Sequence, residues 1–120
     1  SHNHFYKILD SAPQEPLPES LPLSDLDKKD GFVHLSTANQ TKETANLFFS
    51  NTEKLWLLKL RVDDLKKDGN IQWNPDIPGC PHLHDSARGL GKSNVTAVII
   101  ANKGSHGSWK EVPALLDLED

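Results

Sequence analysis

The residues best suited to chemistry lie in two short stretches, each built around histidine. The first runs Asp30-Gly31-Phe32-Val33-His34-Leu35-Ser36-Thr37-Ala38-Asn39-Gln40. An Asp-Gly turn opens a short apolar strand, the strand carries one histidine, and a helix start follows. Successive side chains alternate across a strand, so Phe32, His34 and Ser36 share one face. An imidazole and a hydroxyl then point together, a pairing fit to hold a ligand oxygen or to move a proton. The plainer reading, of equal weight, is a histidine that ties down a neighbouring loop. Behind them Thr37 and Gln40 read as a capping box, Thr37 accepting from the Gln40 N–H and Gln40 reaching back to the Thr37 N–H. Free backbone donors at such a helix start favour an anion or a phosphate.

The second stretch is Pro81-His82-Leu83-His84-Asp85. A His-x-His pair on extended chain turns both rings to one side, spaced for one metal ion or one anion. His34 would complete a three-histidine zinc set, but Asp85 is the only carboxylate at hand to support it, and no tight structural metal is expected. His34 and His82 are predicted to line one cleft and to be the pair that would act in any reaction. Ser36, Thr37, Gln40, Trp73, His84 and Arg88 are the candidate ligand-binding residues. Trp73 offers a stacking platform, against the commoner role of covering a core edge. Arg88, in the turn Ser86-Ala87-Arg88-Gly89-Leu90-Gly91, can grip a phosphate with two parallel hydrogen bonds, although loop arginines are more often simply solvated. Cys80, between prolines and near His82, ranks last as a nucleophile because no oxyanion partner is evident.

The elements that must position these groups follow from hydrophobic period. His4–Leu9 reads as a strand, residues 11–22 as an irregular proline-rich surface segment, and Leu23–Lys29 as a short helix or turn capped by Ser24. Phe32–Ser36 is the second strand. Ala38–Ser50 is the main helix, with Thr41, Thr44, Ala45, Phe48 and Phe49 on one inward stripe. Leu55–Val62 is a near-continuous apolar run, expected at a sheet centre. Asp63–Gly69 turns away, Ile71–Trp73 adds a short strand, Val95–Ala101 is another buried strand, and Trp109–Val112 an edge strand. Strands without regular helical crossovers give an α+β class.

Length and composition bound the rest. The chain of 120 residues, 36% hydrophobic and 25% charged, suits one domain with a real core. A net charge of −4 lacks the basic footprint of a duplex-DNA binder. The single cysteine rules out an internal disulfide and fits a reducing cytoplasmic or nuclear compartment. No apolar run matches a membrane span. Ser1-His2 reads as a vector-derived scar, with no leader behind it, so the sequons at Asn39 and Asn94 are taken as chance matches. Oligomeric state is left open.

Taken together, Asp30–Thr37, Gln40, Thr44-Ala45, Phe48-Phe49, Leu57–Leu60, Trp73 and Pro81-His82-Leu83 resemble the domain of unknown function 952 family. That family typically reads Asp-Gly-Phe-Ile-His-Leu-Ser-Thr early and Pro-His-Leu-Tyr-Gly-Pro-Leu late. It is grouped with the ADP-ribosyltransferase-like fold, a small, split and curved β structure that grips NAD, here with one main helix after the second strand. The resemblance implies that His34 holds a ribose hydroxyl, that Ser36 supports the nicotinamide end, and that a later aromatic stacks on the ring. Leu35 is bulkier than the glycine or alanine usual after that histidine. The family's tyrosine is His84 here and its glutamate after the tryptophan is Asn74, with Glu111 the one late glutamate in view.

The leading expectation is therefore a domain that binds NAD, ADP-ribose or a related nucleotide in a cleft centred on His34. ADP-ribosyl transfer is doubtful, and NAD stands as ligand or substrate rather than cofactor. The first alternative is a two-histidine phosphoesterase, weakened because His82-Leu83-His84 lacks the second hydroxyl. The other is a non-catalytic interaction module.

Overall fold

The computed structural model describes all 120 residues. In chain order it holds β1 (His4–Leu9), α1 (Asp25–Asp30), β2 (Val33–His34), α2 (Thr41–Phe48), β3 (Lys54–Arg61), α3 (Val62–Lys66), β4 (Asn70–Trp73), β5 (Pro81–His84), β6 (Val95–Asn102), a 3-10 turn at Trp109–Glu111 and α4 (Pro113–Leu116). The strands form two antiparallel sheets of three, ordered β1-β3-β6 and β2-β5-β4. This is a mixed α+β fold with small sheets and few helices. No helix is long and apolar enough to cross a membrane.

The apolar run of β3 explains the layering. Leu55 and Leu57 point to one side, Leu58 and Leu60 to the other, and all four are buried. The β1-β3-β6 sheet is accordingly covered on both faces. Leu58, Leu60 and Phe5 pack against Val33, Leu35 and Leu83 of the second sheet. Leu55, Leu57 and Tyr6 pack against Ala45 of α2, Trp109 and Leu115.

The two sheets touch through one bridge, in which the Tyr6 N–H donates to the Ser36 carbonyl at 2.8 Å and the Ser36 N–H to the Tyr6 carbonyl at 2.9 Å. The expected strand Phe32–Ser36 is thus divided. Val33 and His34 pair with β5, the Leu35 N–H still reaches the Pro81 carbonyl, and Ser36 transfers the chain to β1. Past the bridge β1 and β2 separate, and a cavity opens between them.

Several expectations are corrected. The helix predicted from Ala38 begins at Thr41 and ends at Phe48. Only half of the capping box forms: Thr37 Oγ1 accepts from the Gln40 N–H at 3.3 Å. The Thr37 N–H instead donates to the Gly79 carbonyl at 3.0 Å, so nothing remains for the Gln40 side chain to cap. Gly79, with φ +80°, lies so close that a Cβ there would sit 2.9 Å from the Gln40 Cβ. Phe48, expected inward, is 68% exposed because the helix stops there and only Phe49 turns back to the core. The Val95–Ala101 strand lies at a sheet edge, and Ala101 alone is buried. Trp109–Glu111 is a 3-10 turn rather than an edge strand, since the Ser108 hydroxyl caps the Lys110 N–H, and Val112 leads into α4, which Pro113 opens. The turn expected at Asp63–Gly69 is mostly α3, which begins one residue earlier, at Val62. Residues 11–22 are irregular as expected, yet fastened: the Leu21 N–H donates to the Leu90 carbonyl and the Lys92 N–H to the Pro18 carbonyl.

Candidate functional site

α1 is where the site begins. Ser24 caps it by accepting from the Asp27 N–H at 3.1 Å, and Gly31, at φ +79°, ends it in the left-handed region that favours glycine. Asp27 and Asp30 lie one helical turn apart, and the chain reverses through Gly31 so that β2 carries His34 back against both. Asp27 Oδ1 accepts from His34 Nδ1 at 2.7 Å and from the His34 N–H at 3.1 Å. Asp30 Oδ2 lies 2.9 Å from His34 Nε2. Lys7, from β1, donates to Asp27 Oδ2 at 2.8 Å and to the His34 carbonyl at 2.9 Å. The ring therefore has a carboxylate at each nitrogen, hydrogen-bonded at Nδ1 and in close contact at Nε2.

Burial would by itself raise the Asp27 carboxyl. The hydrogen bond and charge of Lys7, with the two hydrogen bonds from His34, outweigh it and hold Asp27 below the ordinary carboxylate range. Asp27 is only 2% exposed, while Asp30 is 33% exposed.

Across the sheet, His34 pairs in register with His82, and His82 with Gln72. The two imidazoles meet edge to face with centroids 5.0 Å apart. Phe32 stacks on His82 at 4.4 Å and on His84 at 4.6 Å. Burial, then the nearby rings of His34 and His84, push His82 below its usual value, which favours its neutral form.

The cavity between the sheets measures about 410 Å³, within the range of small-molecule sites. His34, Ser36 and His82 line it together with Asn74 and Cys80, under a partly exposed apolar rim of Leu26, Phe48 and Ile77. Ser36 Oγ lies 3.5 Å from Thr44 Oγ1. Thr44 also hydrogen-bonds the Cys80 thiol, which burial nonetheless pushes up, so it stays protonated and a poor nucleophile.

The remaining candidates lie elsewhere. Thr37 is buried and faces a separate depression beside Asn39 and Leu115, on the far side of the α2 start. Gln40 borders a shallow groove with Glu43 and Lys110. Trp73, 48% exposed, is on the opposite face of the sheet from the histidines, edge-on to Phe5 at 5.5 Å. Its partner Pro81 is one residue out of phase with His82, which sends the two side chains to opposite faces. His84 lies behind Phe32, outside the cavity. Arg88 is exposed in a loop whose backbone N–H is held by Asp68 at 2.8 Å. Phe32 stacks on both His82 and His84, and no group of three metal-ligating side chains converges.

Sequence reasoning missed Lys7, Asp27 and Asp30. The available signal was local, in that Asp27 and Asp30 are spaced one helical turn apart and precede the histidine through an Asp-Gly turn.

Two solved structures are similar to this chain, both X-ray structures of protein CC0527 from Caulobacter crescentus. One, of a double mutant, shares 29% identity with a TM-score of 0.70; the other shares 30% with a TM-score of 0.68. Each likeness covers 88% of this chain and 91% of that one. Among curated proteins nothing matches. Residues 11–99, which hold every side chain of the cleft except those of β1 and Asp10, match the family described as a protein of unknown function, DUF952, and the chain belongs to that family.

Proposed function

We propose that this chain is a binding domain of ADP-ribosyltransferase-like type whose cleft takes NAD, ADP-ribose or a related nucleotide, with His34 as its polar anchor. The observation that carries the reading is the clamped His34 ring at the wall of a cavity of about 410 Å³ under an apolar rim. A flat ring fits against Leu26, Phe48 and Ile77, and a ligand oxygen against His34, Ser36 and His82. The two sheets that part after a single bridge agree with the split β structure that the resemblance implies.

Binding is better supported than transfer. Asn74 lines the cleft at the position where the family pattern offers a carboxylate, and Cys80 is protonated. A two-histidine phosphoesterase needs its imidazoles on either side of a phosphorus centre. Here the rings are in edge contact, leaving no such space between them.

Isothermal calorimetry with NAD and ADP-ribose on the wild type and His34→Ala tests this. A lost hydrogen bond of about 1 kcal/mol weakens binding about fivefold. Equal affinities remove His34 from the site. No binding by the wild type favours an interaction module, and rapid NAD turnover would make the chain a transferase.

A further inference from the structure

A second cavity, of about 340 Å³, adjoins the histidine cleft and shares Lys7, Leu9, Asp10 and Ser24 with it. Neither His34 nor His82 lines it. Val33, Leu58 and Leu90 give it an apolar wall, and residues 11–14 and 21–24 of the proline-rich stretch close the rest. That stretch is fixed at one end only. The Leu21 N–H and the Pro18 carbonyl are bonded to residues 90 and 92, whereas the backbone of residues 11–17 forms no hydrogen bond. A ligand can therefore enter beneath residues 11–14 without breaking one.

Asp27, which does not border the first cavity, lines this one together with Lys7. The two side chains are 2% and 11% exposed. A buried ion pair adds little stability over apolar residues of the same volume, so one set in a cavity wall invites a second use. Their bonding capacity is also incomplete. An ammonium has three protons, and Lys7 spends two, on Asp27 Oδ2 and on the His34 carbonyl. Asp27 Oδ1 accepts twice from His34, but Oδ2 accepts only from Lys7. One donor and one acceptor thus remain, on atoms 2.8 Å apart, the scale on which a carboxamide sets its oxygen and nitrogen. The pair is neutral as a whole, and the exposed Asp10 carboxylate at the same cavity opposes an anion.

We propose that this second cavity binds an uncharged flat ring carrying a donor beside an acceptor, as an aryl carboxamide or the edge of adenine does. Lys7 Nζ meets the acceptor, Asp27 Oδ2 meets the donor, and Val33, Leu58 and Leu90 meet the ring. This goes beyond the reading of the His34 cleft and does not depend on it.

Benzamide, acetophenone and benzoate are the probes, since they share one shape and differ in the donor and the charge. Each is titrated into the wild type and into Lys7→Met/Asp27→Leu, with the methyl resonances of Leu58 and Leu90 reporting on this cavity and those of Leu26 and Ile77 on the His34 cleft. Benzamide should shift Leu58 and Leu90 and bind about fivefold more tightly than acetophenone, which lacks the donor for Asp27. Benzoate should bind most weakly. The double variant replaces both partners with apolar side chains, which a fold tolerates better than the loss of one, and should bind benzamide and acetophenone equally. If it does not fold, the wild-type ranking decides alone. Shifts confined to Leu26 and Ile77 would overturn the second site and leave the His34 cleft as the ring's place. Equal wild-type affinities for benzamide and acetophenone, or tightest binding of benzoate, would overturn the role of Lys7 and Asp27. No binding of any probe would overturn the site, with NAD binding at His34 untouched.

Discussion

The two cores that flank the β1-β3-β6 sheet each contain nine buried residues, yet they finish differently. Around Trp109 the large aromatic side chains spend their polar atoms internally. The indole N–H donates to the Phe49 carbonyl at 2.8 Å, and the Tyr6 hydroxyl donates to the Glu119 carbonyl. Burial, then the charges of Glu119 and Asp120, push that phenol up to about 12. Around His34 the polar groups form a chain instead, from Lys7 through Asp27 to an imidazole that borders the cavity, with a one-third-exposed Asp30 at its end. A closed network serves stability, and one left open at its end is available to a ligand.

Three substitutions sharpen or break that contrast. Trp109→Ala removes a side chain with 0% exposure together with its hydrogen bond, and should cost about 4 kcal/mol in urea unfolding. A loss under about 1 kcal/mol would mean the Trp109 core is not the rigid half of the molecule.

Asp27→Ala should cost about 3 kcal/mol, because it leaves Lys7 without its counter-charge in a largely buried site. This separates the sealed end of the His34 chain from its open one, since Asp30→Ala should leave stability nearly unchanged. Asp27 has a folded pKa below that of the unfolded chain. Its contribution is therefore present above the unfolded value of about 3.9 and is lost as pH falls through the folded one. Wild-type stability should drop in that acid window, and the drop should be shallower in Asp27→Asn. Parallel pH profiles for the two proteins would show that Asp27 is not the group responsible.

The smallest effect belongs to the helix that carries both carboxylates. Ser24→Ala removes the α1 cap and should cost about 1 kcal/mol, seen as a lower midpoint at unchanged slope. It should also broaden the His34 resonances, since α1 fixes both of their partners. Sharp, unshifted resonances would show that β2 holds the ring unaided.

What could be read from the residues was what local period and turn chemistry encode. The strand at His4–Leu9, the Ser24 cap, the central β3 run and the facing of His34 and His82 follow from alternation, capping and apolar continuity. The failures have long-range causes. Thr37 lost its reciprocal cap because a distant carbonyl, that of Gly79, claimed its N–H. The edge position of β6 depends on which strands lie beside it, and its apolar sequence alone suggests a buried strand. Trp73 left the histidine face because β4 pairs with β5 in a register that no local pattern reveals. Lys7 and Asp27 were missed because a buried ion pair joins two segments distant in the chain, each of which reads as a solvated charge.

The lone bridge between Tyr6 and Ser36 also bears on how the molecule forms. The β4–β5 ladder joins neighbouring stretches of chain and can close early. The β1-β3-β6 sheet must close long loops before its contacts repay them, which slows its formation. The Tyr6–Ser36 bridge closes a shorter loop than any pairing of β1 with β3. The cleft borrows one wall from each sheet, so a chain in which this bridge has not formed would carry both histidine strands and no cleft.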